Sequence, residues 1–144
     1  MKIQIEPSRL QGTLSVPASK SIAHRMLICA GLAEGVSVVE RVSFSKDIEA
    51  TIHAMEALGA SFQIAGSTIT VTGIGNHTAV SEASIPCCES GSTLRFLIPV
   101  AAALGVSATF LERADCRSVR SQLMSGNFLK REFILTIRTL CRFP

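Results

Sequence analysis

Two short stretches carry the residues best suited to chemistry. Ser19, Lys20 and Ser21 lie in VPASKSIAHR, residues 16–25, with His24 and Arg25 close behind. Ser90, Gly91, Ser92 and Thr93 lie in ESGSTLRF, residues 89–96, with Arg95 within one turn. Each stretch sets hydroxyls beside a base where a helix begins. A helix start presents N–H groups that lack intrahelical partners, together with a partial positive charge, so it suits phosphate or carboxylate. Lys20 adds an ammonium to such an end. Arg25 follows Lys20 by five residues, about 500° of helical rotation, so the two bases do not stack, whereas His24 shares the face of Lys20. Gly91 lets a ligand approach the backbone closely. Glu89 would repel an anion unless paired. By residue type and spacing, each stretch reads either as a Ser-capped helix start with solvated bases or as part of an anion site. His24 reads as a surface or hydrogen-bonded residue rather than a catalyst.

Elements able to position these residues follow from the apolar periodicity. Ile3 and Ile5, then Leu14 and Val16, alternate with polar neighbours and predict two short strands, the second ended by Pro17. Ser19 predicts the N-cap of a helix over 20–33 with an apolar face of Ile22, Ala23, Met26, Leu27 and Ala30, and Cys29 in the core. Val36, Val38 and Val39 predict a strand. Ser45 predicts the cap of a second helix, its face Ile48, Ile52, Met55 and Leu58, stopped by Gly59. SFQIA and TITVT around Gly66-Ser67 predict a hairpin, residues 73–83 a polar loop, and Ile85 a short strand. A third helix from Ser90 or Gly91 would bury Leu94, Leu97, Ile98, Ala101 and Leu104, be kinked by Pro99 and end at Gly105, before a strand over Val106–Leu111. This order predicts an α/β fold, with helices covering a sheet that the hairpin makes mixed.

Composition narrows the functional class. The chain has 144 residues, 47% hydrophobic and 17% charged, enough for one domain with a packed core. Its longest apolar stretch, Phe96 to Val106, is about half a membrane span. Met1-Lys2-Ile3 leads into strand-like alternation rather than a leader, so the expected location is the cytoplasm, with no membrane partner. Five cysteines, an odd number without CxxC spacing, suggest reduced thiols and no zinc site, and adjacent Cys87 and Cys88 are poorly placed for a mutual bridge. No GxGxxG or Walker A pattern supports nucleotide binding. Residues 1–112 hold seven Lys/Arg against nine Asp/Glu, a net of −2, whereas 113–144 hold seven against two, a net of +5. A nucleic-acid partner would require the tail to be a basic arm, and the reading is that there is none.

VPASKSIAHRMLICAGLAEG, SKDIEATIHAMEALGA and ESGSTLRFLIPVAAALG, in this order and spacing, closely resemble the N-terminal portion of the 5-enolpyruvylshikimate-3-phosphate synthase family over about residues 1–112. The UDP-N-acetylglucosamine enolpyruvyl transferases share the fold, but Lys-Ser-x-x-x-Arg and SGSTLRF look like the shikimate branch. The resemblance implies βαβαββ units of the enolpyruvyl transferase fold, here incomplete. It implies transfer of the enolpyruvyl group of phosphoenolpyruvate to shikimate 3-phosphate on the route to chorismate, without metal or organic cofactor, by a usually monomeric enzyme that closes two domains. It also implies residue roles. Lys20 would be catalytic and touch both substrates, while Ser21 and Arg25 would bind shikimate 3-phosphate. Gly91, with Ser90 and Ser92, would bind phosphoenolpyruvate. Asp47 matches the second position of a family Asp-Asp pair whose first member is here Lys46, and Glu89 stands where many relatives have Asn. Family chains are several times longer, so the truncated chain is expected to lack activity alone. An anion-binding fragment without catalysis remains the alternative, as does a relative of the sister transferase.

The resemblance stops near residue 113. The family continues with Gly-rich sequence and an Arg-Pro pair that holds the phosphoenolpyruvate phosphate, whereas this chain reads ERADCRSVRSQLMSGNF. Synonymous codons exist for residues 114–125 whose shifted reading spells GRLPVRPLSTYE, which resembles the missing continuation. The expectation is a partial enolpyruvyl transferase domain over 1–112 and an atypical, out-of-frame tail over 113–144. Within that tail, FILTIRTL would form a helix or a sticky strand.

Overall fold

The computed structural model describes residues 3, 4, 9, 11–75 and 78–113, and the backbone of 135–140. Along the chain run α1 (Lys20–Leu32), β1 (Val36–Val39), α2 (Lys46–Ala57), β2 (Ser61–Ala65), β3 (Thr68–Thr72), β4 (Glu82–Cys88), α3 (Gly91–Leu104), β5 (Ser107–Arg113) and β6 (Leu135–Leu140). The expected succession of helices and strands from residue 20 to 113 is therefore present. The mixture of pairings is divided between two sheets. β1-β3-β2 is antiparallel throughout, and β4-β5-β6 is parallel throughout. Only the two-residue link Gly66-Ser67 permits an antiparallel hairpin, with Ala65 opposite Thr68 and Gly66 at φ 60°. β4 and β5 are joined through α3, the longer crossover that parallel strands require.

α2 lies between two hydrophobic clusters and feeds both. Ile48 and Ile52 pack with Ala23, Leu27 and Ala30 of α1 and with Val39, Ile69 and Val71 of the antiparallel sheet. Met55 and Leu58, a turn further on, pack with Ile85 and Cys87 of β4, Leu94, Leu97 and Ala101 of α3, and Phe110 of β5. The predicted face of α2 is thus buried in full. Leu94, Leu97 and Ala101 of α3 are also buried, and Ile98 and Leu104 only partly. Gly105 ends α3 in the left-handed conformation, φ 73°. Pro99 lies inside α3.

Three expectations need correction. Leu14 and Val16 form no strand and are 84% and 76% exposed, because no described strand lies beside them to satisfy their backbone; Ile3 is also outside any strand, and Ile5 lies outside the described residues. In α1, Ile22 and Met26 are exposed, as is Cys29. The buried residues are Ala23, His24, Leu27, Ile28, Ala30 and Gly31. This helix is apolar nearly all round, so its periodicity supports two neighbouring stripes, and contact with α2, β1 and β3 decides between them. The strand predicted around Ile85 is longer and runs from Glu82 to Cys88.

The segment after β3 closes the end of α1. Ile74 and Gly75 donate their N–H groups to the carbonyls of Gly31 and Ala33, 2.9 and 3.1 Å away, and Gly73 donates to Gly35 at 3.0 Å. Terminal helix carbonyls without intrahelical partners are thereby satisfied. A Cβ on Gly73 would lie 2.1 Å from the Ala33 carbonyl oxygen and 2.5 Å from that of Ala30, so only glycine permits this approach. In β6, Leu135–Leu140 pairs in parallel with Ala108–Arg113, so the LTIRTL part of FILTIRTL takes the strand form of the two expected, and Phe133 and Ile134 lie outside the described residues.

Candidate functional site

Serine caps each of the three helices among the described residues. The hydroxyl of Ser19 accepts from Ile22 N–H at 3.4 Å, that of Ser45 from Ile48 N–H at 3.4 Å, and that of Ser90 from Thr93 N–H at 3.2 Å. Each satisfies one orphan donor and leaves the others of that first turn open. The Ser90 turn is built from a register shift in β4 between Pro86 and Cys88, followed by Cys88 at φ 51°. A left-handed cysteine costs on the order of 1 kcal/mol or more, and the turn it makes aims Ser90 and Gly91 at the other helix starts.

The three helix starts meet at Asp47. Lys20, first residue of α1, forms an ion pair through Nζ with Asp47 Oδ2 at the start of α2. From α3, Thr93 Oγ1 lies 3.5 Å from the Asp47 carbonyl oxygen. The hydrogen bond from Lys20, its positive charge, the Ser90 hydroxyl and the nearby His24 hold the Asp47 carboxyl below its ordinary value, against partial burial. The result is a cluster of positive helix ends containing one cation and one carboxylate.

The candidates named from sequence fall unequally around this point. Lys20 and Ser21 are exposed at the start of α1. Arg25 donates through Nη1 to the Ser21 carbonyl at 2.8 Å and stacks over the Phe96 ring of α3, 4.9 Å from its centroid. Arg25 is thus brought alongside α3, a placement helical spacing could not supply. Gly91 is half-buried and Ser92 exposed, both in the first turn of α3. Ser90 is 3% exposed, and its oxygen accepts from both Thr93 N–H and Thr93 Oγ1, the latter at 2.8 Å, so its side chain is committed to the protein. Any approach by a ligand to this turn therefore falls to Gly91, Ser92 and the backbone.

Sequence reasoning missed Thr51 and the burial of Thr93 beneath, and of its two alternatives for His24, surface or hydrogen-bonded, the second holds. His24 is 1% exposed, and Thr51 and Thr93 are fully buried. His24 Nδ1 lies 2.6 Å from Thr51 Oγ1, and Thr51 Oγ1 lies 2.8 Å from Thr93 Oγ1 and 3.2 Å from the Asp47 carbonyl oxygen. Burial drives the His24 pKa below 6.5, as do the charges of Lys20 and Arg25, and Asp47 opposes the shift. A signal was present in the sequence: Thr51 interrupts the apolar stripe Ile48, Ile52, Met55, and His24 sits between Ala23 and Leu27. Among the described residues no His, Cys, Asp or Glu group is placed to hold a metal, and no helix is long and apolar enough to cross a membrane. A concavity lined by Glu82, Ala83, Ser84, Ser107 and Thr109 lies at the far end of β4 and contains none of these groups.

Comparison with known proteins places this arrangement in context. The family described as EPSP synthase (3-phosphoshikimate 1-carboxyvinyltransferase) matches residues 5–112. A 3-phosphoshikimate 1-carboxyvinyltransferase of Clostridium kluyveri is 45% identical over 108 residues, covering 75% of this chain and 25% of that protein. One from Clostridium perfringens strain SM101 is 40% identical over 114 residues, covering 79% and 27%. A solved EPSP synthase from Acinetobacter baumannii superposes with a TM-score of 0.63 at 26% identity, over 72% of this chain and 24% of that one. The chain spans about a quarter of the length of the curated relatives it matches.

Proposed function

The chain belongs to the EPSP synthase family, and we propose that residues 1–112 are the part of a 3-phosphoshikimate 1-carboxyvinyltransferase that receives its two anionic substrates. The supporting observation is the meeting of three helix starts around Lys20 and Asp47. Shikimate 3-phosphate and phosphoenolpyruvate are both polyanions, and bringing them together requires cations and unpaired N–H groups. Lys20 supplies the ammonium to both. Ser21 and Arg25 serve shikimate 3-phosphate. Gly91 and Ser92 serve phosphoenolpyruvate from the first turn of α3, and Ser90 shapes that turn from beneath.

In the transfer, a hydroxyl of shikimate 3-phosphate adds to the enol double bond while the terminal carbon takes a proton. Phosphate then leaves, and the same carbon gives a proton back. Lys20 would stabilise negative charge and keep the reacting groups in place. The match covers a quarter of the Clostridium kluyveri relative, so we propose that residues 1–112 by themselves bind substrate weakly and do not turn it over. We also propose a cytoplasmic location, no metal or organic cofactor, and a monomeric state.

Residues 113–144 are a separate proposal. Their net charge of +5 against −2 for 1–112 supports an out-of-frame tail, and a choice of synonymous codons permits the shifted reading GRLPVRPLSTYE. Coding DNA around residue 113 tests it: one insertion or deletion there should restore a long family-like frame, and the absence of any such restoration defeats the idea. For the binding role, calorimetry with shikimate 3-phosphate should show heat for the chain and none for Lys20→Ala. Equal binding by both would refute the assignment of Lys20. Phosphate release from the two substrates by the purified chain would refute the inactive reading.

A further inference from the structure

His24, Thr51, Thr93 and Ser90 form a continuous buried string that starts on α1, crosses α2 and ends at the cap of α3. Its steps are 2.6 Å from His24 Nδ1 to Thr51 Oγ1, 2.8 Å on to Thr93 Oγ1, and 2.8 Å on to Ser90 Oγ. Every hydroxyl carries one proton, so a string of hydroxyls has a direction. The far end sets it. Thr93 Oγ1 donates to Ser90 Oγ. Thr93 has then spent its proton. Thr51 gives its own either to Thr93 or to the Asp47 carbonyl oxygen 3.2 Å away, and in both cases it accepts from His24.

The near end gives the same direction. His24 Nε2 is buried and has no hydrogen-bond partner among the described residues. Running the string backwards would place the ring proton on Nε2, a buried donor with no acceptor. Orphaned N–H groups are rarer in folded proteins than under-used acceptors. The forward direction leaves only an unused lone pair. A doubly protonated ring would add a charge beside Lys20 and Arg25 on its own helix, while Asp47 of α2 is the one opposing charge and α3 presents the Phe96 ring.

We propose that His24 is held as the neutral Nδ1–H tautomer and that, with Thr51 and Thr93, it is a positioning residue: its string holds Thr93 against the Ser90 cap at the start of α3, beside the Lys20–Asp47 ion pair. The consequence for ligand binding rests on the anion-site reading above. The tautomer does not, because it belongs to the chain without ligand.

Two-bond proton–nitrogen NMR on the full 144-residue chain at neutral pH tests this directly. The expected result is a protonated Nδ1 and a bare Nε2 for His24. An Nε2–H tautomer or an imidazolium overturns the proposal, and this measurement needs no variant. Thr51→Val removes the acceptor and should move the ring proton to Nε2, while Thr51→Ser should keep it on Nδ1. An unchanged tautomer in Thr51→Val, or a switched one in Thr51→Ser, also overturns it. In calorimetry with shikimate 3-phosphate, Thr51→Val should bind roughly tenfold more weakly, the loss of one hydrogen bond's contribution, with Thr51→Ser restoring affinity. No binding by the parent chain would sink the anion-site reading and leave the tautomer result standing.

Discussion

Lys20 and Asp47, twenty-seven positions apart, form an ion pair between the first residue of α1 and the second of α2. The lysine side chain is 52% exposed and the aspartate 29%. Water and salt screen such a pair, so its contribution to stability is about 1 kcal/mol or less. Lys20→Ala should shift the urea midpoint only slightly. By contrast, it should raise the Asp47 pKa toward 3.8, because the largest influences lowering it come from Lys20. Carboxylate NMR titration of both chains checks this. An unchanged Asp47 titration would show that the pair is not formed in solution.

Stability should depend on pH in two windows. The His24 pKa is lowered by folding, so the unfolded chain takes up the proton first. Stability is full above about pH 6.5 and falls as pH drops below that value toward the folded pKa. The Asp47 pKa is also lowered. Its contribution is full above the ordinary value of 3.8 and is lost as pH falls through the folded pKa. Thermal melts at half-unit steps should show the first decline below about pH 6.5, and His24→Asn should flatten it. A decline that survives in His24→Asn would assign it to another group.

Gly73→Ala should destabilise the fold by roughly 1–3 kcal/mol, since the added methyl meets backbone oxygens that cannot move aside like a flexible side chain. The carbonyls of Gly31 and Ala33 would lose their donors with the displaced loop. Gly66→Ala, whose added Cβ meets nothing within 4 Å, isolates the cost of positive φ alone. Denaturant unfolding of the two variants compares these terms. Equal losses would show that the close approach at Gly73 is not tight.

Phe110→Ala should cost about 3–5 kcal/mol, a large share of what a domain this size possesses. Phe110 is fully buried in the cluster shared by α2, α3 and β4. Loss of cooperative unfolding at room temperature is the expected outcome. A cooperative transition within 1 kcal/mol of the parent would place Phe110 outside the core.

Much of the fold was legible because local rules agreed. Ser19, Ser45 and Ser90 precede apolar helical spacing and cap α1, α2 and α3. Ile48, Ile52, Met55 and Leu58 recur at helical spacing and are buried together. The site was legible only as two separate anion-friendly stretches, drawn together by resemblance. His24 read as either a surface or a hydrogen-bonded residue; it is the latter, and nothing in its neighbourhood names Thr51, its partner twenty-seven positions away.

The sequence by itself determined where helices begin, which face of α2 is buried, and where the hairpin turns, because these depend on neighbours within a few residues. Tertiary structure decided what lies between elements. It chose which stripe of α1 faces inward, divided the strands into two sheets, and brought Asp47 to Lys20 and Thr93. These are contacts across long loops, and their energies depend on burial and on which polar groups can satisfy one another. A linear pattern carries neither quantity.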